Sequence, residues 1–327
     1  MAKRIQIARY GGPEELQLID FEPADPAENE VQVENKAIGI NYIDTYVRSG
    51  LYPVPELPSG IGTEAAGVVV KVGSRVTAIK PGDRVVYAQS PLGAYSEIHN
   101  VHQDKIALLP DALSFEQAAA SFLKGLTVHY LLRQTYEVQA DETFLFHAAA
   151  GGVGLIACQW AKALGAHLIG TVGSAEKAQL AKDRGAWATI NYREEDIAQR
   201  VSELTDGKKV RVVYDSVGKA TWEASLNCLQ RRGLMVSFGN SSGPVTGIDL
   251  AILNQKGSLY LTRPSLNGYI TTREELQQAS NDLFSMLASG AIKVEVPESQ
   301  RFSLSEAQRA HSTLESRSTQ GSSLLIP

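Results

Sequence analysis

The sequence predicts an α/β protein in which a doubly wound parallel sheet is inserted into a discontinuous, mostly β outer domain. Between residues 126 and 265, short continuous apolar runs alternate with helix-like segments, which is typical of parallel strands covered by helices on both faces. On either side, residues 1–125 and 266–327 carry mixed elements separated by Gly and Pro turn signals. These two segments together form the predicted outer domain.

The outer domain begins with β-branched apolar runs that end at turn residues. Strands are predicted over residues 30–41, 64–73 and 83–89. Pro81 and Gly82 form the turn before the last of these strands. Helical spacing begins at Ser114, the predicted N-cap, with Gln117 at the capping-box position. After residue 266 we expect a helix from 272, strands near 292 and 301, a helix over 305–316 and a terminal strand over 322–327.

The inner domain alternates strands with helices in chain order. Its apolar runs predict strands over 143–148, 167–173, 188–192, 210–218, 233–239 and 258–264. Its amphipathic runs predict helices over 153–165, 174–185, 194–205, 219–230 and 250–255. Such an alternation favours right-handed crossovers and one parallel sheet.

Composition excludes several classes of protein. The 327 residues include 31 basic and 36 acidic ones, and the net charge of −5 argues against wholesale binding to nucleic acid or an anionic membrane. No apolar stretch approaches the roughly 20 residues of a spanning helix, and the first residues lack the apolar core of a secretory signal. Cys158 and Cys228 lie in apolar runs and are interpreted as core residues. We expect a cytoplasmic protein.

Three glycines lie between the first strand and the first helix of the inner domain. The stretch over 149–154 has the spacing of the motif G-x-G-x-x-G, with Ala149 in the first place. Gly151 and Gly152 leave the backbone bare where a pyrophosphate could approach, and Gly154 lets the helix pack closely on its strand. The helix N-terminus adds free N–H groups and a positive dipole end. This context predicts a Rossmann-type dinucleotide site.

The end of the second inner strand favours NADPH over NAD. NAD enzymes usually place an acidic residue there to bind the ribose 2′-hydroxyl, whereas this strand ends in Gly173 and Ser174. Ser174 caps the next helix, and Lys177 falls in its first turn, where a cation opposes the helix dipole. A phosphate bound between Ser174 and Lys177 explains this unfavourable placement of a cation. A solvated surface lysine is the alternative interpretation. Tyr192, at the end of the third strand, could flank the adenine, and Glu176 lies in the helix rather than at the strand tip.

These motifs resemble the medium-chain dehydrogenase/reductase superfamily. Residues 60–73 resemble its G-x-E-x-x-G strand pair, and the stretch over 80–85 and the glycine loop follow it. Residues 35–53, 122–132 and 236–243 are similar to the zeta-crystallin-like group of quinone oxidoreductases, including the bacterial NADPH-dependent ones. The resemblance covers essentially the whole chain, and it implies a GroES-like outer domain and reduction of a quinone.

The chain departs from the zinc alcohol dehydrogenases of that superfamily. Those enzymes carry a cysteine where this chain has Asn41 and a histidine where it has Thr63, and the outer domain lacks their four structural cysteines. The six histidines show no ligand spacing such as H-x-x-x-H, and there is no C-x-x-C pair. We therefore expect no metal, and without zinc to lower the pKa of an alcohol we do not expect alcohol oxidation.

The resemblance implies a set of cofactor contacts spread along the chain. Residues 41–46 line the nicotinamide end, residues 238–241 close over the cofactor, residues 263–266 hold the carboxamide, and Arg317 reaches in from the tail. The implied contacts are Tyr42, Ile43, Asp44, Thr45, Tyr46, Thr127, Tyr130, Gly152, Val153, Val217, Phe238, Gly239, Asn240, Ser241, Arg263, Pro264, Ser265, Leu266 and Arg317.

The catalytic candidates of this resemblance are Tyr46, Tyr52 and Asn41. The two tyrosines could stack on a quinone or hydrogen-bond it, with packing in the outer core as the alternative. Asn41 could donate to a carbonyl oxygen or satisfy a buried loop. A quinone needs only a flat, dry pocket and water as the proton source, and reduction of alkenes conjugated to a carbonyl is the second candidate reaction.

The expected partners are a small-molecule quinone and a second copy of the chain. The strand over 258–264 is apolar and falls at the edge of the predicted sheet, so pairing of two such edges predicts a C2 homodimer. The basic pairs at 208–209 and 231–232 are interpreted as solvated turns. A cofactor-stabilised structural or RNA-binding protein is a minor alternative, which the acidic net charge disfavours. We expect neither membrane nor nucleic acid as a partner.

Overall fold

The computed structural model describes residues 1–89 and 91–327 of the chain. These residues separate into two compact units. The outer unit comprises Met1–Leu126 with Ile270–Pro327, and the inner unit comprises Thr127–Tyr269. Within the described residues, no helix has the length and apolar character needed to cross a membrane.

Strands and helices are numbered here in chain order. The strands are β1 (Ala2–Ile7), β2 (Gln17–Phe21), β3 (Glu30–Ile40), β4 (Ser59–Gly60), β5 (Glu64–Val72), β6 (Arg84–Ala88), β7 (Ile98–His102), β8 (Ile106–Leu108), β9 (Thr143–Phe146), β10 (His167–Val172), β11 (Ala188–Asn191), β12 (Val210–Asp215), β13 (Leu229–Ser237), β14 (Tyr260–Thr262), β15 (Arg301–Ser303) and β16 (Ser323–Ile326). The helices are α1 (Tyr42–Arg48), α2 (Phe115–Tyr130), α3 (Gly152–Ala163), α4 (Ala175–Asp183), α5 (Ile197–Leu204), α6 (Trp222–Cys228), α7 (Ala251–Gln255), α8 (Arg273–Ala288) and α9 (Ala307–Glu315).

The outer unit is built on a mixed sheet in the order β15-β16-β3-β5-β6-β8, and β7 also pairs with β3. A smaller antiparallel sheet has the order β2-β1-β4. Inward-facing residues of these strands, including Ile38, Val85 and Tyr87, form an outer core in which each is fully buried. Because β3 ends at Ile40 and α1 starts at Tyr42, this core anchors the start of α1.

The inner unit is a parallel sheet in the order β11-β10-β9-β12-β13-β14. Counted within the unit, this order is 3-2-1-4-5-6, the order of the dinucleotide-binding doubly wound fold. Its core is aliphatic, with Leu145, Ile169, Ile190 and Val213 fully buried. In such sheets ligands bind at the carboxyl ends of the strands, at the point where the strand order reverses, which here lies between β9 and β12.

Several local predictions differ from the observed elements. No strand forms near residue 292: Ile292 is 1% exposed because it folds back on α8, where its N–H bonds the carbonyl of Met286 at 3.0 Å. Helix α1 was not predicted, although the capping pattern described below supports it. The predicted capping box at Ser114 is confirmed, since its N–H bonds Gln117 Oε1 at 3.0 Å and its Oγ accepts from Gln117 N at 3.1 Å.

Candidate active site

The glycine loop joins β9 to α3 with very little space for side chains. Gly151 is the N-cap of α3, and a Cβ on Gly154 would lie 2.4 Å from the carbonyl oxygen of Ala148. Ala148 itself adopts a φ of 56°, whereas Ala149 lies outside the left-handed region, as its place in the motif requires. The loop therefore presents bare backbone N–H groups at a helix N-terminus, which is a geometry suited to a pyrophosphate.

The end of β10 gathers polar and cationic groups. Ser174 caps α4 and accepts from Lys177 N at 3.3 Å. A Cβ on Gly173 would lie 2.6 Å from the hydroxyl oxygen of Tyr192, so the tyrosine lies directly over this glycine. Burial lowers the pKa of Lys177, and the neighbouring guanidinium of Arg193 lowers it further. Two cations thus lie near each other, and Arg193 was not among the predicted residues, although it directly follows Tyr192.

A buried chain of polar side chains ties together the carboxyl ends of β9, β10 and β12 and reaches α6. His147 Nδ1 lies 3.0 Å from Thr171 Oγ1, and its Nε2 lies 2.9 Å from Ser225 Oγ. Ser225 Oγ donates to Asp215 Oδ2 at 2.7 Å, and Thr221 Oγ1 donates to the same oxygen at 2.7 Å. Burial lowers the pKa of His147, so the imidazole is neutral at physiological pH. This chain fixes the strand ends without a charged histidine.

The same carboxylate organises the predicted ribose segment. Asp215 Oδ1 accepts from Val217 N at 2.7 Å and from Gly218 N at 3.0 Å. Its backbone carbonyl accepts from Phe238 N at 2.8 Å, so the ends of β12 and β13 are joined. A Cβ on Gly239 would lie 2.4 Å from the carbonyl oxygen of Ser216, which explains the need for glycine where the segments after β12 and β13 pass each other. Residues 217 and 238–241 consequently lie side by side.

The remaining inner residues of the prediction differ in their contacts and their burial. Arg263 Nη1 donates to the carbonyl of Ser237 at 2.8 Å. Tyr130 stacks on Tyr269 with ring centroids 4.5 Å apart. Burial raises the pKa of Tyr130, and the positive charge of Arg263 opposes this shift, which indicates that the two residues are neighbours. Thr127 and Leu266 are buried, whereas Ser265 is exposed and Pro264, Gly152, Val153, Asn240 and Ser241 are half-buried.

Helix α1 carries the predicted tyrosines of the outer unit. Tyr46 lies between Tyr42 and Tyr52, with ring centroids 6.3 Å and 5.3 Å away respectively. The Tyr42 hydroxyl donates to the carbonyl of Leu314 in α9 at 3.1 Å. Tyr52 packs partly against the outer core, which supports the packing interpretation for that residue. Arg317 follows α9, and its charge opposes the burial that raises the pKa of Tyr42, so the two residues are neighbours.

The first turn of α1 depends on buried carboxylates. Asp44 is fully buried, and it accepts from Asn41 N at 2.8 Å, Thr63 Oγ1 at 3.0 Å and Tyr95 Oη at 3.0 Å. Burial raises its pKa to about 7, although these hydrogen bonds act in the opposite direction. The Asp44 side chain therefore supports the loop, and its role as a cofactor contact stays a prediction. Thr45 is likewise buried, and its hydroxyl donates to the carbonyl of Tyr42 at 2.7 Å.

Asn41, the N-cap of α1, has its amide directed into the protein. Its Nδ2 donates to Glu64 Oε2 at 2.8 Å and lies 3.5 Å from the carbonyl oxygen of Gly39. Both amide hydrogens therefore face protein acceptors, which favours the buried-loop interpretation over donation to a substrate. Ile43, beside it in α1, is half-buried.

A chain of donors reaches Asp44 from the far side of the outer unit. Arg48 is 2% exposed, and it forms two hydrogen bonds with the carboxylate of Glu315, at 3.0 and 2.7 Å. Its Nη1 also lies 3.0 Å from His311 Nδ1, and His311 Nε2 lies 3.0 Å from Tyr95 Oη. An arginine can only donate, so His311 Nδ1 accepts, Nε2 carries the proton, and the Tyr95 hydroxyl donates to Asp44.

Metal ligands do not gather in the described part of the chain. Across residues 1–89 and 91–327, no three His, Cys, Asp or Glu side chains lie close enough together to hold a metal ion. The positions at which zinc alcohol dehydrogenases carry Cys and His, Asn41 and Thr63, are instead hydrogen-bonded to Glu64 and Asp44. The expectation of a metal-free site stays a prediction.

Known proteins share both halves of this architecture. An alcohol dehydrogenase GroES-like domain model matches residues 27–111, and a zinc-binding dehydrogenase model matches residues 152–285. The quinone oxidoreductase of Salmonella typhimurium is 76% identical over 327 residues, which cover 100% of both chains. This chain belongs to the quinone oxidoreductase family. As a member of that family it is an oxidoreductase, and the resemblance found in its motifs is confirmed.

Solved structures of the quinone oxidoreductase family agree with the fold. The crystal structure of Escherichia coli quinone oxidoreductase complexed with NADPH superposes with a TM-score of 0.99 at 75% identity and covers 100% of both chains. A 2-haloacrylate reductase from Burkholderia is more distant, at 41% identity over 98% of each chain. The predicted fold class, a Rossmann-type domain with a GroES-like outer domain, is confirmed.

Proposed function

We propose that this chain is an NADPH-dependent quinone reductase. The observation that carries the proposal is the pair of cations, Lys177 and Arg193, beside Ser174 at the end of the second strand of a dinucleotide-binding sheet. A 2′-phosphate fits two cations, a capping hydroxyl and a helix N-terminus, whereas the ribose hydroxyl of NAD is bound by an acid. The similarity to a relative whose structure was solved with NADPH supports the same choice.

The inner unit fits the other parts of NADPH as well. Bare backbone at Gly151 and Gly152, at the N-terminus of α3, suits the pyrophosphate. Gly154 has a separate role, since a side chain there would clash with the loop itself. The exposed ring of Tyr192 suits stacking on the adenine. We propose Val217 and residues 238–241 as the ribose and nicotinamide contacts, because Asp215 holds these segments together.

The outer unit supplies the acceptor site in this proposal. NADPH supplies a hydride when it is bound. The half-buried Tyr46, with Tyr42 and Tyr52 beside it, forms an aromatic surface suited to the flat ring of a quinone. The buried network around Asp44 holds the helix that carries Tyr42 and Tyr46, so the protein orients the acceptor through α1.

The test is turnover of the purified protein with each cofactor and each acceptor. We expect oxidation of NADPH by 1,4-benzoquinone, with much weaker use of NADH. Turnover of a 2-alkenal alone would instead support the second candidate, an alkene reductase, which the 41% identity to 2-haloacrylate reductase favours. Oxidation of neither cofactor, despite NADPH binding, would contradict both.

We also propose a homodimer paired through β14. This strand lies at the end of the inner strand order, and its Tyr260 and Leu261 are 61% and 37% exposed. An exposed apolar strand edge is a template for pairing with a second copy. Sedimentation at the mass of a single 35.3 kDa chain would contradict the dimer. A cytoplasmic location belongs to the same proposal, and cell fractionation tests it.

A further inference from the structure

Lys124, on α2, carries an ammonium group buried in the outer unit. The residue is 5% exposed, and its Nζ lies 3.3 Å from Glu64 Oε2. Glu64 is fully buried, and its other oxygen, Oε1, accepts from Leu123 N at 2.6 Å. The carboxylate is therefore firmly held, while the ammonium approaches it only at the long end of the hydrogen-bond range.

The same ammonium lies beside the start of α1. Glu64 Oε2 accepts both from Lys124 Nζ at 3.3 Å and from the amide of Asn41 at 2.8 Å. Asn41 is the N-cap of α1, the helix that carries Tyr42 and Tyr46. Burial raises the pKa of Asp44, and the charge of Lys124 is among the opposing influences. Lys124 thus belongs to the cluster from which the proposed acceptor surface extends.

An ammonium has three hydrogens to donate, and here they are only partly used. Among residues 1–89 and 91–327, Lys124 Nζ has Glu64 Oε2 as its one acceptor. Leaving buried N–H donors of a charged group without acceptors costs more than leaving neutral ones. Buried polar groups in proteins are almost always hydrogen-bonded, so these hydrogens point to an acceptor other than the residues that the structure describes.

We propose that Lys124 is a catalytic residue that donates a hydrogen bond to the carbonyl oxygen of the quinone acceptor. This inference rests on the proposed function. In that reaction the quinone receives one hydride, with its electron pair, from NADPH and one proton from water, which gives a hydroquinone and NADP⁺. Negative charge develops on the quinone oxygen before the proton arrives, and a preorganised cationic donor stabilises that charge most strongly in a dry site.

The first test removes the donor without leaving a lone buried charge. Lys124→Met alone would strand the Glu64 carboxylate, so the informative variant is the double substitution Lys124→Met with Glu64→Gln. Its kcat/KM for 1,4-benzoquinone is expected to fall about 10²–10³-fold, the usual loss for one oxyanion donor. Lys124→Arg keeps a cationic donor and should recover part of the rate. Lys105→Met is the matched control, since this half-buried ammonium bonds the carbonyl of Ile270 at 3.1 Å.

The second test needs no turnover. 4-Nitrophenol is a flat phenol whose ionisation is visible in its absorbance spectrum, and competition by benzoquinone shows that it occupies the acceptor site. A nearby ammonium favours the bound phenolate. The double variant removes one positive and one negative charge, so the net charge is unchanged and the comparison isolates the short-range donor. We expect the pKa of bound 4-nitrophenol to be lower in wild type than in the double variant.

The outcomes separate the inference from the proposed function. A folded double variant that keeps both wild-type kcat/KM and the wild-type phenolate fraction would overturn the role of Lys124 while leaving quinone reduction intact. Wild type that turned over no quinone would overturn the proposed function, and the nitrophenol comparison would still decide whether Lys124 stabilises a bound oxyanion. A loss in Lys105→Met equal to that in the double variant would assign the effect to general destabilisation and overturn the inference.

Discussion

The two units hold their site loops with buried carboxylates, but the two networks are built in opposite ways. In the inner unit, Asp215 accepts from Val217, Gly218, Thr221 and Ser225, all within ten positions along the chain. In the outer unit, the chain that ends at Asp44 joins Tyr95 to His311, 216 positions away, and His311 to Arg48, 263 positions away. One network is local in sequence and the other depends on the tertiary fold.

The difference also concerns charge. Asp215 lies at the carboxyl end of a strand, where two backbone N–H groups and two hydroxyls surround it. Asp44 is surrounded by one backbone N–H and two hydroxyls in a fully buried place, and burial raises its pKa to about 7. The long-range network therefore leaves the Asp44 carboxyl close to the point of protonation at neutral pH.

Asp215→Ala should produce the largest effect and break the inner network. Four donors would lose their acceptor in a buried place, and each unsatisfied group costs about 1–3 kcal/mol, so we expect a loss of at least about 4 kcal/mol in the free energy of unfolding. Chemical denaturation measures it. Asp183→Ala, an exposed aspartate at the end of α4, is the control and should change stability by less than about 0.5 kcal/mol. Equal losses would contradict the role assigned to Asp215.

Asp44→Asn should remove a pH dependence of the free energy of unfolding that distinguishes the wild type. The folded pKa of about 7 lies above the unfolded one, so between about pH 4 and 7 the folded chain holds a proton that the unfolded chain has released. Stability of the wild type therefore falls as pH rises through this window, by roughly 4 kcal/mol in total. Denaturation of both proteins across the window measures the slope, and an unchanged slope in the variant would exclude Asp44 as its source.

The local features of the inner unit were predictable from the sequence. The glycine loop, the absence of an acid at Ser174 and the position of Lys177 each depend on a few neighbouring residues, and the observed strand order agrees with the predicted doubly wound sheet. Arg193 was missed because it follows β11 whereas Lys177 follows β10, and only the pairing of these two strands brings the two cations together.

The outer network was beyond prediction for the same physical reason. Nothing near Tyr95 or His311 in the sequence indicates that they meet, since the contact requires α9 to pack beside the segment between β6 and β7 that carries Tyr95. Helix α1 was missed because it has only seven residues, too few for a helical period to stand out. Asn41 and Asp44 form a cap pattern that could have indicated it.

Lys177→Ala should break the inner site's preference for phosphate without affecting stability. Loss of one charge-assisted hydrogen bond is expected to raise the KM for NADPH by roughly 1.5–3 kcal/mol in free-energy terms and to leave the KM for NADH nearly unchanged. Arg193→Ala should act in the same direction. Lys182→Ala, an exposed lysine in the last turn of the same helix, is the control. A parallel rise in both KM values would place Lys177 outside the phosphate site.

Tyr46→Leu should have the smallest effect and test the outer site. Tyr46 lies between Tyr42 and Tyr52, and because Tyr52 also packs on the outer core, the Tyr46 ring is our candidate for the quinone contact. Loss of aromatic stacking is worth about 0.5–1.5 kcal/mol, which predicts a rise of roughly three- to tenfold in the KM for 1,4-benzoquinone at unchanged KM for NADPH.

Tyr52→Leu is the matched variant, and it should lower stability more than it raises the quinone KM, because its ring fills part of the outer core. Each of the two substitutions removes a phenol ring, and the centroids of the two rings lie 5.3 Å apart. A quinone KM that rises with Tyr52→Leu and not with Tyr46→Leu would therefore move the acceptor to the other side of this aromatic pair. It would also move the acceptor away from the ring that α1 presents, and the buried network at Asp44 would then orient the quinone less directly than we propose.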